Sequence, residues 1–166
     1  MASEEMVRRL AEMRLFSGLS EPVLRRLADL AEPRRYAAGE VLFHEGAGCG
    51  KLYLLRQGKV QLQMRVPGHG SIPILTLGPG QLVAWSAVLG TGEMTTSAVA
   101  LEVTEAFALP GDKLKELCEQ DHDFGYLFME RLAGALARRL VATRLQLLDL
   151  FASETPRISV KEEQHG

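Results

Sequence analysis

The sequence predicts a mostly β fold: a jelly roll flanked by helices at both ends, with a long C-terminal dimerisation helix. Three observations predict it. Glycines recur at 39, 46, 48, 50, 58, 68, 70, 78, 80, 90 and 92 with short apolar runs between them, the texture of short antiparallel strands joined by tight turns. No crossover helix separates those runs, which argues against a parallel βαβ arrangement. Helical periodicity occurs only before and after this region. The expected organisation is helices over 1–35, a jelly roll over 36–110, helices over 111–152 and a loose polar tail over 153–166.

Ser3 is placed to cap a first helix whose opening turn carries Glu4 and Glu5, where carboxylates suit free amides. Val7, Leu10 and Ala11 form its apolar side, Arg14 to Phe16 extend it, and Ser17-Gly18 ends it. Ser20 and Pro22 open a second helix that buries Val23, Leu24, Leu27, Ala28 and Leu30-Ala31. Val41-Leu42-Phe43 and Leu52-Tyr53-Leu54-Leu55 read as strands. Lys59 to Val66 alternates, with Val60, Leu62, Met64 and Val66 on one side and Lys59, Gln61, Gln63 and Arg65 on the other, as a half-buried strand does. Ile72, Ile74 and Leu75 to Leu77 follow the Gly68-His69-Gly70 turn, and Ser97 to Leu109 supplies one or two more strands before Pro110-Gly111.

From Asp121 to residue 152 apolar residues return at helical spacing. A helix of 32 residues is about 48 Å long, longer than the domain is wide. Its second half then exposes leucines unless a second copy covers them, giving a homodimer with Leu136, Leu140, Val141, Leu145 and Leu148 on the seam. The alternative is a helix that breaks and folds back.

The chain has 166 residues, a mass of 18.2 kDa and a net charge of −2 from 19 cations and 21 anions. That suits one domain with its own core and lacks the basic excess of a free-standing nucleic-acid binder. No apolar stretch is long enough to span a membrane, and no apolar run of the signal-peptide kind follows the polar start. Cys49 and Cys118 form no disulfide framework, which suits a reduced, cytoplasmic protein. Nothing catalytic stands out: His44, His69, His122 and His165 are widely separated, and no Gly-Lys-Ser/Thr follows a strand. Cys49 sits in a glycine loop beside Lys51, and Cys118 reads as packing. No enzyme and no metal site are expected.

Ala38-Gly39-Glu40-Val41-Leu42-Phe43-His44-Glu45-Gly46, followed by Lys51 to Val60, resembles the opening of the cyclic-nucleotide-binding domain of bacterial catabolite-activator-type regulators. Ala100-Leu101-Glu102 and Thr104 to Pro110 are similar to that domain's closing strands, and Ala137-Arg138-Arg139-Leu140 with Thr143 to its dimer-forming helix. The resemblance covers about residues 15–152. It implies a double-stranded β-helix and a phosphate-binding cassette at about 78–98. In such a cassette a short helix's amides and an arginine hold the cyclic phosphate, and a glutamate holds the ribose hydroxyl.

Set against that pattern, Gly80-Gln81-Leu82 puts Gln81 in the place of the ribose-binding glutamate, and Met94, followed by Thr95 and Thr96, in that of the phosphate arginine. No Arg or Lys occurs between Val66 and Pro110. Charge-assisted hydrogen bonds contribute about 1.5–3 kcal/mol against ~1 for neutral ones, so the loss of the arginine weakens cyclic AMP binding by one to two orders of magnitude. Trp85 and Ser86 sit inside the cassette and look like the Gly-Trp-Ser stretch of one subgroup; Trp85 either lines a ligand pocket or fills the interior as core. The resemblance also places Thr143 where a hydroxyl touches the purine, and Arg144 where the partner subunit contributes a second hydroxyl. Arg144 reads as a surface charge, and Arg138 and Arg139 as a solvated face.

In regulators of this family a DNA-reading domain follows the long helix, whereas here Glu154 to Gly166 follow it, so no direct DNA binding is expected of this chain. Two readings stay open. One is a regulatory module holding a cyclic nucleotide or another small anion in the jelly-roll pocket, with weakened or lost cyclic AMP affinity. The other is a non-sensing dimer that serves protein interaction or structure, its pocket filled by its own side chains.

Overall fold

The computed structural model describes residues 3–154; most of the expected tail, 155–166, lies outside the described residues. Helix α1 spans Glu4–Glu12, with Ser3 Oγ accepting from the Met6 amide at 3.1 Å. It stops earlier than its periodicity suggests, because Met13 is extended and Arg14–Phe16 forms a separate 3₁₀ turn. Helix α2 spans Glu21–Leu30, with Pro22 in its first turn, where a missing amide hydrogen costs nothing.

Eight strands follow: β1 Glu32–Tyr36, β2 Val41–Phe43, β3 Lys51–Gln57, β4 Val60–Val66, β5 Gly70–Leu77, β6 Leu82–Val83, β7 Ser97–Ala100 and β8 Thr104–Pro110. They pair antiparallel in two four-stranded sheets, ordered β1-β8-β3-β6 and β2-β7-β4-β5, which is the expected jelly roll. The sheets begin at Glu32 rather than at 36. Strand β1 reads Glu-Pro-Arg-Arg-Tyr, with no apolar alternation to mark it, and Pro33 is tolerated because β1 is an edge strand.

Helices α3, Gly111–Gln120, and α4, His122–Glu154, close the fold. At 33 residues α4 is one unbroken rod about 50 Å long, so it does not fold back on itself.

Two apolar clusters fill the molecule, and β3 separates them. Leu52 and Leu54 face the helices with Phe107 and Leu109 of β8, meeting Leu10, Phe16, Leu27, Leu114, Phe124, Phe128 and Leu132. Tyr53 and Leu55 face the opposite sheet with Ala106 and Ala108, meeting Phe43, Val60, Leu62, Leu77 and Ala98. A strand covered on both faces reads as a continuous apolar run, which is what Leu52 to Leu55 shows. Beyond Leu136 the helix leaves the core. Leu140, Val141, Leu145, Leu147, Leu148, Leu150 and Phe151 are each at least half exposed.

Candidate functional site

The site is built where β5 hands over to β6. The chain turns at Gly80, whose positive φ of 83° a glycine adopts without strain, and whose amide donates to Leu55 O at 2.7 Å. Leu55 in turn donates to Gln81 O at 2.9 Å, and β6 pairs with β3. Ala84 then adopts the left-handed conformation, φ 68° and ψ 46°, the one non-glycine with positive φ among the described residues. That costs an L-residue roughly 1–2 kcal/mol, and it redirects the chain into the Trp85–Ala87 3₁₀ turn.

Beneath this turn lies a cavity of about 130 Å³. Phe43, Leu62, Ile74 and Leu75 from the β2-β7-β4-β5 sheet give it an apolar wall. Ala84, Trp85 and Ser86 line one side, Met94, Thr95 and Thr96 another, and Arg139 and Thr143 of α4 close it. Six of the residues expected from the sequence therefore meet: Trp85, Ser86, Met94, Thr95, Thr96 and Thr143. Trp85 is half-buried at the rim and also touches the helix-side core, so it is both wall and packing. Met94 is 2% exposed and belongs to the inter-sheet core. Thr143 Oγ1 donates to Arg139 O at 2.7 Å. The hydroxyls of Ser86, Thr95 and Thr96 make no hydrogen bond to the protein, and none is a buried orphan, among the described residues.

The other expected residues lie elsewhere. Gly80, Gln81 and Leu82 line a wide groove of about 1360 Å³ between the N-terminal helix, α4 and the edge of the β1-β8-β3-β6 sheet. Gln81 is exposed, and its Oε1 accepts from the Gly78 amide at 2.8 Å, stapling the turn rather than facing the cavity. Arg144 is exposed and lines neither space. Leu136 packs on its own helical core, while Leu140, Val141, Leu145 and Leu148 stand exposed.

Arg139 overturns the expectation of a solvated face. Its guanidinium donates to Leu82 O, and the residue lines both the cavity and the groove. Burial lowers its pKa to about 10, so it stays charged at neutral pH, yet no carboxylate pairs with it among the described residues. A half-buried cation without a counter-charge carries a desolvation cost that an opposite charge offsets. One signal was available in the sequence: Arg139 lies four residues before Thr143, so the two share a helix face. Arg138, one position earlier, is exposed as expected.

Among the described residues no group of histidines, cysteines and carboxylates is placed to hold a metal, and no helix is long and apolar enough to cross a membrane. Cys118 packs beside the helical core, and burial raises its thiol pKa.

The cyclic nucleotide-binding domain family model matches residues 33–121. The chain is 34% identical over 143 residues to the cyclic AMP receptor protein of Thermus thermophilus, covering 86% of this chain, and 26% identical over 147 residues to a CRP-like cAMP-activated global transcriptional regulator of Mycobacterium tuberculosis, covering 89%. It spans 64% of the length of each. The crystal structure of the Thermus thermophilus catabolite activator protein superposes with a TM-score of 0.66 at 36% identity, over 83% of this chain and 62% of that one. A cyclic nucleotide-binding domain from Methylobacillus flagellatus shares the fold, with a TM-score of 0.74 at 23% identity over 88% of this chain and 82% of the other. With the family model matching more than half the sequence and the jelly roll, cassette turn and long helix all in place, the chain belongs to the cyclic nucleotide-binding domain family.

Proposed function

We propose that this chain is a ligand-binding regulatory module that holds a small molecule beneath its cassette and relays occupancy through α4, with its affinity for cyclic AMP weakened. The observation that carries the reading is the cavity itself: it is bounded on one side by the cassette and on the other by Arg139 and Thr143 of α4, so a ligand there touches both. Open space in that position favours a ligand pocket over one filled by the chain's own side chains.

Two features support weak binding of cyclic AMP. Gln81, a carboxamide engaged with the Gly78 amide, lies outside the cavity, and among the described residues no carboxylate lines it to receive a ribose hydroxyl. The cavity, at 130 Å³, is also small beside the roughly 300–1,000 Å³ of pockets for drug-sized ligands. Isothermal titration is expected to give micromolar or weaker affinity for cyclic AMP; nanomolar binding would overturn the reading. The pocket reading as a whole falls if no member of a broad metabolite panel shifts either the emission of Trp85, the chain's single tryptophan, or the melting temperature.

The module works as a homodimer through α4. Leu140, Val141, Leu145 and Leu148 are 53–62% exposed on a helix that continues past its own core, and a second copy of the same helix offers a matching apolar seam. Sedimentation equilibrium is expected to show a dimer for the unaltered chain and a monomer for the double variant Leu145→Glu/Leu148→Glu, since two carboxylates per helix cannot be buried unpaired in the seam. A monomeric unaltered chain at micromolar concentration would sink the dimer.

A further inference from the structure

Resting on the pocket reading above, we infer that the ligand is a compact monocarboxylate with an apolar body. Its carboxylate is received by Arg139 of α4 and by hydroxyls from the cassette, and its body lies against Trp85, Ile74 and Met94.

Charge sets the first limit. Arg139 is the one cation lining the cavity among the described residues, and no carboxylate neutralises it. Its guanidinium uses a donor on Leu82 O and retains others in a planar fork that matches a carboxylate. A dianion such as a phosphate monoester would leave one charge uncompensated against a largely apolar wall, which is costly. A neutral ligand would leave the guanidinium as it stands, half-buried without a counter-charge.

Size and lining set the second. A cavity of about 150 Å³ is the scale that takes benzene, so 130 Å³ suits a ligand of that order rather than a nucleotide. Phe43, Leu62, Ile74 and Met94 are apolar, and Trp85 adds an aromatic face at the rim. The polar capacity that remains is the free hydroxyls of Ser86, Thr95 and Thr96, which donate to a carboxylate oxygen as readily as to a phosphate one. The missing cassette cation is thus supplied from a different element. Because Arg139 already holds Leu82 of β6, a carboxylate shared between its guanidinium and the cassette hydroxyls adds a second link between α4 and the cassette, which is lost when the ligand leaves.

Benzoate and its neutral isostere benzamide are the probes, titrated into the full chain with Trp85 emission as the readout and cyclic AMP alongside. Benzoate is expected to give a saturable change, benzamide to bind at least tenfold more weakly, Arg139→Met to weaken benzoate at least tenfold, and Arg138→Met to leave it unchanged. The inference is overturned if benzoate does not saturate, if benzamide binds as tightly, or if Arg139→Met binds benzoate as the unaltered chain does. Should Arg139→Met fail to fold, the benzoate and benzamide comparison on the unaltered chain decides alone. If cyclic AMP or a neutral compound saturates the Trp85 signal while benzoate does not, the carboxylate assignment falls and the pocket reading stands.

Discussion

Replacing Gly111 with alanine is expected to destabilise the chain by about 3 kcal/mol or more and to displace the cassette turn. Gly111 opens α3 and is fixed from two directions. Its amide donates to Gly50 O at 2.8 Å, and a Cβ on it would stand 2.0 Å from Ala87 O and 2.6 Å from the Ala87 carbonyl carbon. Both are backbone atoms, so no rotamer change relieves the overlap. Either α3 or the Trp85–Ala87 turn must move, and the turn is the lighter element, three residues that follow the two-residue strand β6. Movement there carries Trp85 and Ser86 out of the cavity wall. Urea unfolding followed by Trp85 emission reads both effects: a lower midpoint, and a native-state spectrum shifted from that of the unaltered chain. A midpoint and spectrum that both stay unchanged would show that α3 and the turn are not appressed.

Much of this architecture was legible because it rests on local rules. The alternation of Val60, Leu62 and their polar neighbours marks β4, the run Leu52 to Leu55 marks a strand covered on both faces, and Ser3 caps α1 as its side chain requires. What escaped depends on distant partners. Strand β1 has no amphipathic pattern and exists because β8 offers its edge, Glu32 opposite Ala108 through Tyr36 opposite Thr104. The end of α1 at Met13 follows from seating Leu15 and Phe16 in the core as a 3₁₀ turn, a tertiary demand that outweighs helix periodicity.

The site divides along the same line. Trp85, Ser86, Met94, Thr95 and Thr96 share the cavity because they flank one short loop, and the loop's place followed from the resemblance. Gln81 lies one residue before β6 yet looks the other way, since its carbonyl and that of Gly80's neighbour Leu55 are committed to the turn's ladder. Arg139 is the least legible of the cavity's residues. The stretch from Val66 to Pro110 contains no cation, and the cation comes from a helix 57 residues beyond Leu82, the carbonyl it holds. Only the docking angle of α4 brings the two together.

That docking angle depends on Phe128, and Phe128→Ala is expected to cost about 3–5 kcal/mol. Phe128 is 1% exposed. Its ring stacks on Phe124 of the same helix at a centroid distance of 5.5 Å and on Phe16 of the N-terminal 3₁₀ turn at 6.4 Å. The substitution therefore removes the buried ring and two aromatic contacts, each worth ~0.5–1.5 kcal/mol beyond area, and leaves a void between elements that are far apart in sequence. Set against a total stability of roughly 5–15 kcal/mol for a domain, the loss removes a large share of it. The position also holds the half of α4 that lies on the core, while Arg139 is eleven residues further along the same rod. A small pivot at Phe128 is carried to the cavity about 16 Å away along the helix, where Arg139 must meet Leu82 O. Phe128→Leu, which restores much of the volume, is expected to recover more than half of the lost stability. Urea midpoints for the three proteins test this. A loss below about 1 kcal/mol for Phe128→Ala would mean that α4 is not anchored through this ring, and that its placement over the cassette has another origin.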